Sequence, residues 1–139
     1  MSFPALLQQV LAVSALGQRG TFPNTSVEMG DIEKPFAAAN KDRFIAAFSN
    51  VGQEVALTAP GVGIVSTLPE RDYAVMSGTS MACPAVTGCV AAILSQQPNL
   101  LQMPRDQSRT QAFTKAVLVK AVLQGFTPDD ASMEGHGLL

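Results

Sequence analysis

The sequence predicts an α/β fold in which short strands of a parallel sheet lead to one long apolar helix. Three observations carry this. Short, nearly unbroken apolar runs bounded by Gly and Pro recur along the chain, the pattern of strands buried on both faces. One apolar stretch, from about Ser80 to Gln97, is long enough for a buried helix. A small polar turn, Ser77-Gly78-Thr79, joins the last short run to that stretch and sets Ser80 in the first turn of the helix.

Taken in order, Val10 to Leu16 is an apolar run ending at Gly17 and reads as a strand buried on both faces. Residues 18–43 are polar and turn-rich, with Gly20, Pro23, Asn24, Gly30, Asp31 and Pro35, and read as a surface excursion. Its Asp31, Glu33, Lys34, Lys41, Asp42 and Arg43 read as a solvated face. Phe44 to Phe48, Val55 to Thr58, Ile64 to Leu68 and Tyr73 to Met76 are four β-like runs, punctuated by Gly52, Pro60, Gly61, Gly63 and Pro69. Pro84 is tolerated in the helix because it falls in the first turn, where no backbone bond is lost. Pro98 and Asn99 end that helix, and a polar loop runs to Arg109. A second helix is expected from Thr110 to Gln124, with Gly125 as its C-cap.

With 139 residues the chain is one domain's worth of sequence. Hydrophobic residues make up 47% and charged residues only 14%. So few charges suit either a deep α/β core or a piece of a larger domain with an apolar cut face. A net charge of −2 leaves no basic footprint, which argues against nucleic acid as a partner. Residues 4–17 lack a preceding Lys or Arg and are interrupted by Gln8 and Gln9, so they read as a buried strand rather than a leader. No run is long enough to span a membrane. Cys83 and Cys89 point to different sides of the helix, so a local disulfide is not expected. They read as two small buried side chains. Two Cys and one His match no zinc spacing.

Gly-Thr-Ser-Met-Ala-Cys-Pro, residues 78–84, closely resembles the nucleophile motif of the subtilisin-like serine proteases. Further segments match in family order. They are Val10 to Ala15, Ala47 to Gly52, Ala59-Pro60-Gly61, Ile64 to Leu68 and the closing Gly135-His136-Gly137-Leu138-Leu139. The resemblance covers nearly the whole chain but only the C-terminal part of the family's catalytic domain. It implies the corresponding part of a three-layer fold around a parallel sheet, with residues 1–139 a partial peptidase domain and 18–43 a lengthened insertion. It implies Ser80 as nucleophile, with its own N–H in the oxyanion hole. Ser77, Gly78, Thr79 and Met81 are then the substrate-facing approach. A peptide or protein is the implied substrate. Family members are often secreted. Some hold a weak cation on carbonyls corresponding to Ala5 to Val10, and calcium belongs to the intact family domain. The assisting carboxylate corresponds here to Ala56, so no metal or other cofactor is expected in this chain.

A serine hydroxyl is a weak nucleophile at neutral pH and needs an adjacent base that a third group orients. In the subtilisin order Asp and His both precede Ser. Here no His precedes Ser80, and the one histidine, His136, lies in the closing segment, which the resemblance makes structural. The family's oxyanion asparagine lies upstream of the matched region, and no role carries over to Asn24, Asn40 or Asn50. Three readings stay open at this level. The chain is the nucleophile-bearing part of an endopeptidase whose Asp, His and Asn come from an N-terminal portion. Or it is a non-catalytic relic or binding module. Or it is a self-contained hydrolase using Ser80, His136 and Asp129 or Asp130. The cut sheet edge is expected to favour association with an N-terminal partner or with itself.

Overall fold

The computed structural model describes residues 3–7, 9–21, 37–38, 42–124 and 131–139. Strand β1 (Ala12–Gln18) lies at the centre of a four-stranded sheet with β2 (Ala37–Ala38), β3 (Arg43–Ile45) and β4 (Val55–Pro60), in the order β2-β3-β1-β4. The sheet is mixed rather than parallel. β1 and β4 run parallel, pairing Ala12 with Val55 and Leu16 with Pro60. β3 runs antiparallel to the end of β1, pairing Leu16 with Ile45 and Gln18 with Arg43, and β2 is antiparallel to β3. The reason is geometric: β3 returns from the excursion at the end where β1 finishes, so it runs back alongside it.

That excursion, residues 18–43, lies largely outside the described residues, as do Asp31, Glu33, Lys34 and Lys41. Its described part departs from a purely solvated loop, since Ala37–Ala38 pair in the sheet. Arg43 is half-buried, and its guanidinium donates to the Gln124 side-chain carbonyl.

The strands alternate between two faces. On one face Ala15, Phe44, Leu57 and Ala59 form a buried cluster with Val62, Ala82, Val86 and Val117. On the other, Leu16 and Ile45 pack with Met133 and Leu138. Two buried hydroxyls on that second face are satisfied. Ser14 Oγ donates to the Met133 carbonyl at 2.7 Å, and Thr58 Oγ1 donates to the Ser14 carbonyl at 3.4 Å.

The first face carries α1 (Thr79–Ser95), reached through a hairpin of β5 (Ile64–Leu68) and β6 (Asp72–Met76) whose tight turn is Pro69–Arg71. Helix α1 is two residues shorter at its end than the sequence pattern suggests, and Pro84, expected in its first turn, lies inside it as the sixth residue, where the Ser80 carbonyl loses its N–H partner. It is also not buried: only Ala82 and Val86 are enclosed. Cys83 and Cys89, expected in the core, are exposed free thiols. Helix α1 is apolar on every side, and the sheet covers only one side of it.

Pro98 does not simply end the helix. It opens α2 (Pro98–Gln102), as proline can at a first helical position. Helix α3 (Gln107–Leu118) begins three residues earlier than expected, because Asp106 caps it by accepting from the Ser108 and Arg109 N–H groups. It stops at Leu118, well before Gln124. The residues that follow serve as an edge instead: Val122 and Leu138 exchange two backbone bonds, of 2.8 and 2.9 Å. Gly125, expected as the cap, is outside the described residues. Helix α4 (Ala131–Glu134) was not expected at all.

Candidate active site

Strand β4 ends at Pro60, and the turn after it builds the site. Gly61 N–H donates to the Leu16 carbonyl at 2.8 Å, tying the carboxyl ends of β4 and β1 together. Gly78 N–H then donates to the Gly61 carbonyl at 2.7 Å, which seats the start of α1 on those strand ends. A Cβ on Gly61 would lie 2.7 Å from the Ala15 Cβ and 2.9 Å from the Gly78 carbonyl oxygen, so the approach is too close for a side chain. Ser77 closes the other side of the turn, its Oγ accepting from the Gly63 N–H at 3.0 Å.

Thr79 and Ser80 are the first two residues of α1. Met81 N–H and Ala82 N–H both donate to the Gly78 carbonyl, at 3.0 and 3.3 Å. The N–H groups of Thr79 and Ser80 precede this first bonded turn and have no intrahelical acceptor. Ser80 is exposed, and its hydroxyl makes no hydrogen bond among the described residues. Thr79 and Met81 are half-buried beside it, with the Met81 Sδ 3.5 Å from where a Gly78 Cβ would stand. No acidic residue lies in the first turn of α1 and no basic residue in its last, so the helix dipole sets the field at Ser80. A hydroxyl beside free N–H groups at a helix N-terminus has the ingredients for attack on a carbonyl and for receiving the negative charge that develops.

His136 is not brought to Ser80. Its backbone N–H donates to the Ala56 carbonyl at 2.8 Å, near the opposite end of β4 from Gly61. Five strand residues at roughly 3.3 Å each put the two ends about 16 Å apart. Asp129 and Asp130 lie outside the described residues, as do Asn24 and Asn40. Asn50 is exposed in the turn after β3. The glycines flanking His136 are the structural part of the closing segment. Gly135 (φ 58°) and Gly137 (φ 110°) pass so close to β4 and to Val122 that a Cβ would sit 2.3 Å from the carbonyl oxygens of Val55 and Val122 respectively. Gly61 and Ser77 are the site-building residues whose roles the motif alone did not reveal, although Ala59-Pro60-Gly61 was visible as a turn.

A weak-cation position at Ala5 to Val10 would draw on carbonyls there, but that of Leu7 accepts from the Val10 N–H at 2.9 Å and Ala56 offers no carboxylate. Among the described residues no three His, Cys, Asp or Glu side chains converge on a metal position. Nor, among them, is any helix long and apolar enough to cross a membrane.

A serine in the first turn of a helix above the carboxyl ends of strands is an arrangement that α/β hydrolytic enzymes use. Sequence comparison makes this specific: the signature of the subtilase family, peptidase S8, matches residues 1–137, and the chain belongs to that family. It is 35% identical over 140 residues to an intracellular serine protease of Paenibacillus polymyxa, covering 97% of this chain and 41% of that protein. It is 41% identical over 102 residues to a thermophilic serine proteinase of Bacillus sp. strain AK1, covering 72% and 25%. Among solved structures it resembles the prenylagaramide maturation protease PagA, with a TM-score of 0.61 and 29% identity, covering 99% of this chain and 41% of that one. The chain thus spans less than half the length of the relatives it matches.

Proposed function

We propose that this chain is the nucleophile-bearing portion of a subtilisin-like serine endopeptidase. Ser80 attacks the scissile carbonyl of a peptide or protein. Its own N–H, with the helix dipole behind it, stabilises the oxyanion. Ser77, Gly78, Thr79 and Met81 form the wall along which the substrate approaches. The histidine that takes the Ser80 proton, the aspartate that orients it and the oxyanion asparagine come from polypeptide outside these 139 residues, and without them the chain is inactive. The observation that carries this reading is the placement of Ser80 on α1, at the joined ends of β1 and β4, with the one histidine of the sequence at the other end of β4. The bare sides of α1 favour association, either with that complementary polypeptide or between copies of the chain.

The test is labelling by a fluorophosphonate. The chain alone should not label. Mixed with a polypeptide supplying the Asp, His and Asn segments, it should label at Ser80 and lose the label in Ser80→Ala. Failure to label with a partner that demonstrably binds would support a non-catalytic relic. Labelling of the isolated chain that vanishes in His136→Ala would support the self-contained reading.

A further inference from the structure

At the opposite end of β4 from Ser80, α3 and the closing segment border an open cavity of about 520 Å³. It has the size of a small-molecule site. Lys115 and His136 line it together with the amides of Gln107 and Gln111 and the apolar side chains of Leu118 and Val119. Among the described residues, no Asp or Glu lines it. Among the described residues, neither the Lys115 ammonium nor the His136 imidazole has a hydrogen-bond or ion-pair partner, and the two glutamine side chains are likewise unengaged. The cavity therefore gathers unpaired donors around an apolar wall. Glu54 lines an adjoining cavity that shares His136, so a bound anion is expected nearer Lys115.

We propose that this cavity binds a small organic carboxylate, with its charge between Lys115 and His136 and an aliphatic body against Leu118 and Val119. The chemistry favours this class: two donor groups meet a carboxylate, no described acidic side chain lines the same cavity, and apolar surface beside them gains from covering. An inorganic anion would leave that surface wet, and a purely apolar ligand would leave the donors of Lys115 and His136 without a partner. The site is independent of the proposed role of Ser80, which lies at the far end of the strand.

The experiment is an amide-resolved NMR titration of the full chain with two probes, N-acetyl-leucine and hexanoate, each paired with its primary amide. Both carboxylates should give saturable shifts centred on Thr114, Lys115 and His136, with the amides binding more weakly. Lys115→Gln and His136→Gln should each weaken binding about three- to tenfold. Both residues are exposed, so the variants should keep the parent spectrum elsewhere. Tighter binding of N-acetyl-leucine identifies a peptide C-terminus as the natural form, and tighter binding of hexanoate a fatty acid. Equal affinity for the amides, undiminished binding in both variants, or no saturable shift at these residues overturns the proposal.

Discussion

The Gly78 N–H donates to the Gly61 carbonyl at 2.7 Å, and this one backbone bond sets the start of α1 on the end of β4. The two glycines serve it differently. Gly61 has no room for a side chain, whereas a Cβ on Gly78 would meet nothing closer than 3.5 Å. Gly78 is also extended, with φ 161°, a conformation open to any residue. Gly61→Ala should therefore cost about 1–3 kcal/mol, as overpacking does, and lower the melting temperature by several degrees. Gly78→Ala should leave the melt nearly unchanged, and thermal denaturation of the two variants side by side checks the contrast.

The Ser77 hydroxyl bond to Gly63 makes a second prediction. Ser77→Ala leaves that half-buried N–H without its acceptor and should cost about 1 kcal/mol. Because the bond braces the approach to Ser80, labelling of the complemented protein should slow more than the stability loss explains. Equal labelling rates for parent and variant would contradict this.

The closing segment gives the third. Gly135→Ala forces a side chain to φ 58° against the Val55 carbonyl oxygen and should destabilise by more than about 2 kcal/mol. Hydrogen exchange should quicken first at Thr58 and Val122, whose N–H groups bond to Gly137 and Leu138. His136→Ala, between the same glycines, should stay within about 0.5 kcal/mol of the parent.

Asp106 carries a pH dependence. The Ser108 hydroxyl bond, then the Arg109 N–H bond, hold its carboxyl below the ordinary value of 3.8. A depressed folded value means the cap's contribution is present above the ordinary carboxylate range and lost as pH falls through the lowered value. The start of α3 should fray in acid in the parent. In Asp106→Asn, which still caps but does not titrate, the Ser108 and Arg109 amides should show no such acid step in their exchange.

Cys83 and Cys89 provide the fifth. As exposed thiols both should react quickly with Ellman's reagent in the native chain when it is dilute enough to be monomeric, and more slowly as it self-associates. A complementary partner that covers α1 should slow the reaction, and sedimentation should show the isolated chain self-associating. A monodisperse monomer with slow thiols would contradict the exposure of α1.

What the sequence made legible was local. The turn at Ser77–Thr79, the helix after it and the two runs Ile64 to Leu68 and Tyr73 to Met76 stand close to where pattern and turn residues placed them, because each is governed by neighbours in the chain. What it hid was settled at a distance. Helix α3 stops at Leu118 because Val122 is taken up by Leu138, a pairing no periodicity reveals. The antiparallel run of β3 follows from where an excursion returns. The burial of Cys83 and Cys89 was misjudged because apolar character predicts that a surface seeks cover, not that this chain supplies it. For the site, the motif found Ser80 and its approach residues, but the steric demand at Gly61 comes from Ala15, far earlier in the sequence.

The pairing of the closing segment with β4 also has a meaning in time. Thr58, in the strand that ends beneath Ser80, is bonded to Gly137, and Ser14, in the neighbouring strand, to Met133. These partners leave the ribosome long after the serine does. The strands under Ser80 therefore gain these partners on their second face only once synthesis has run through the closing glycines.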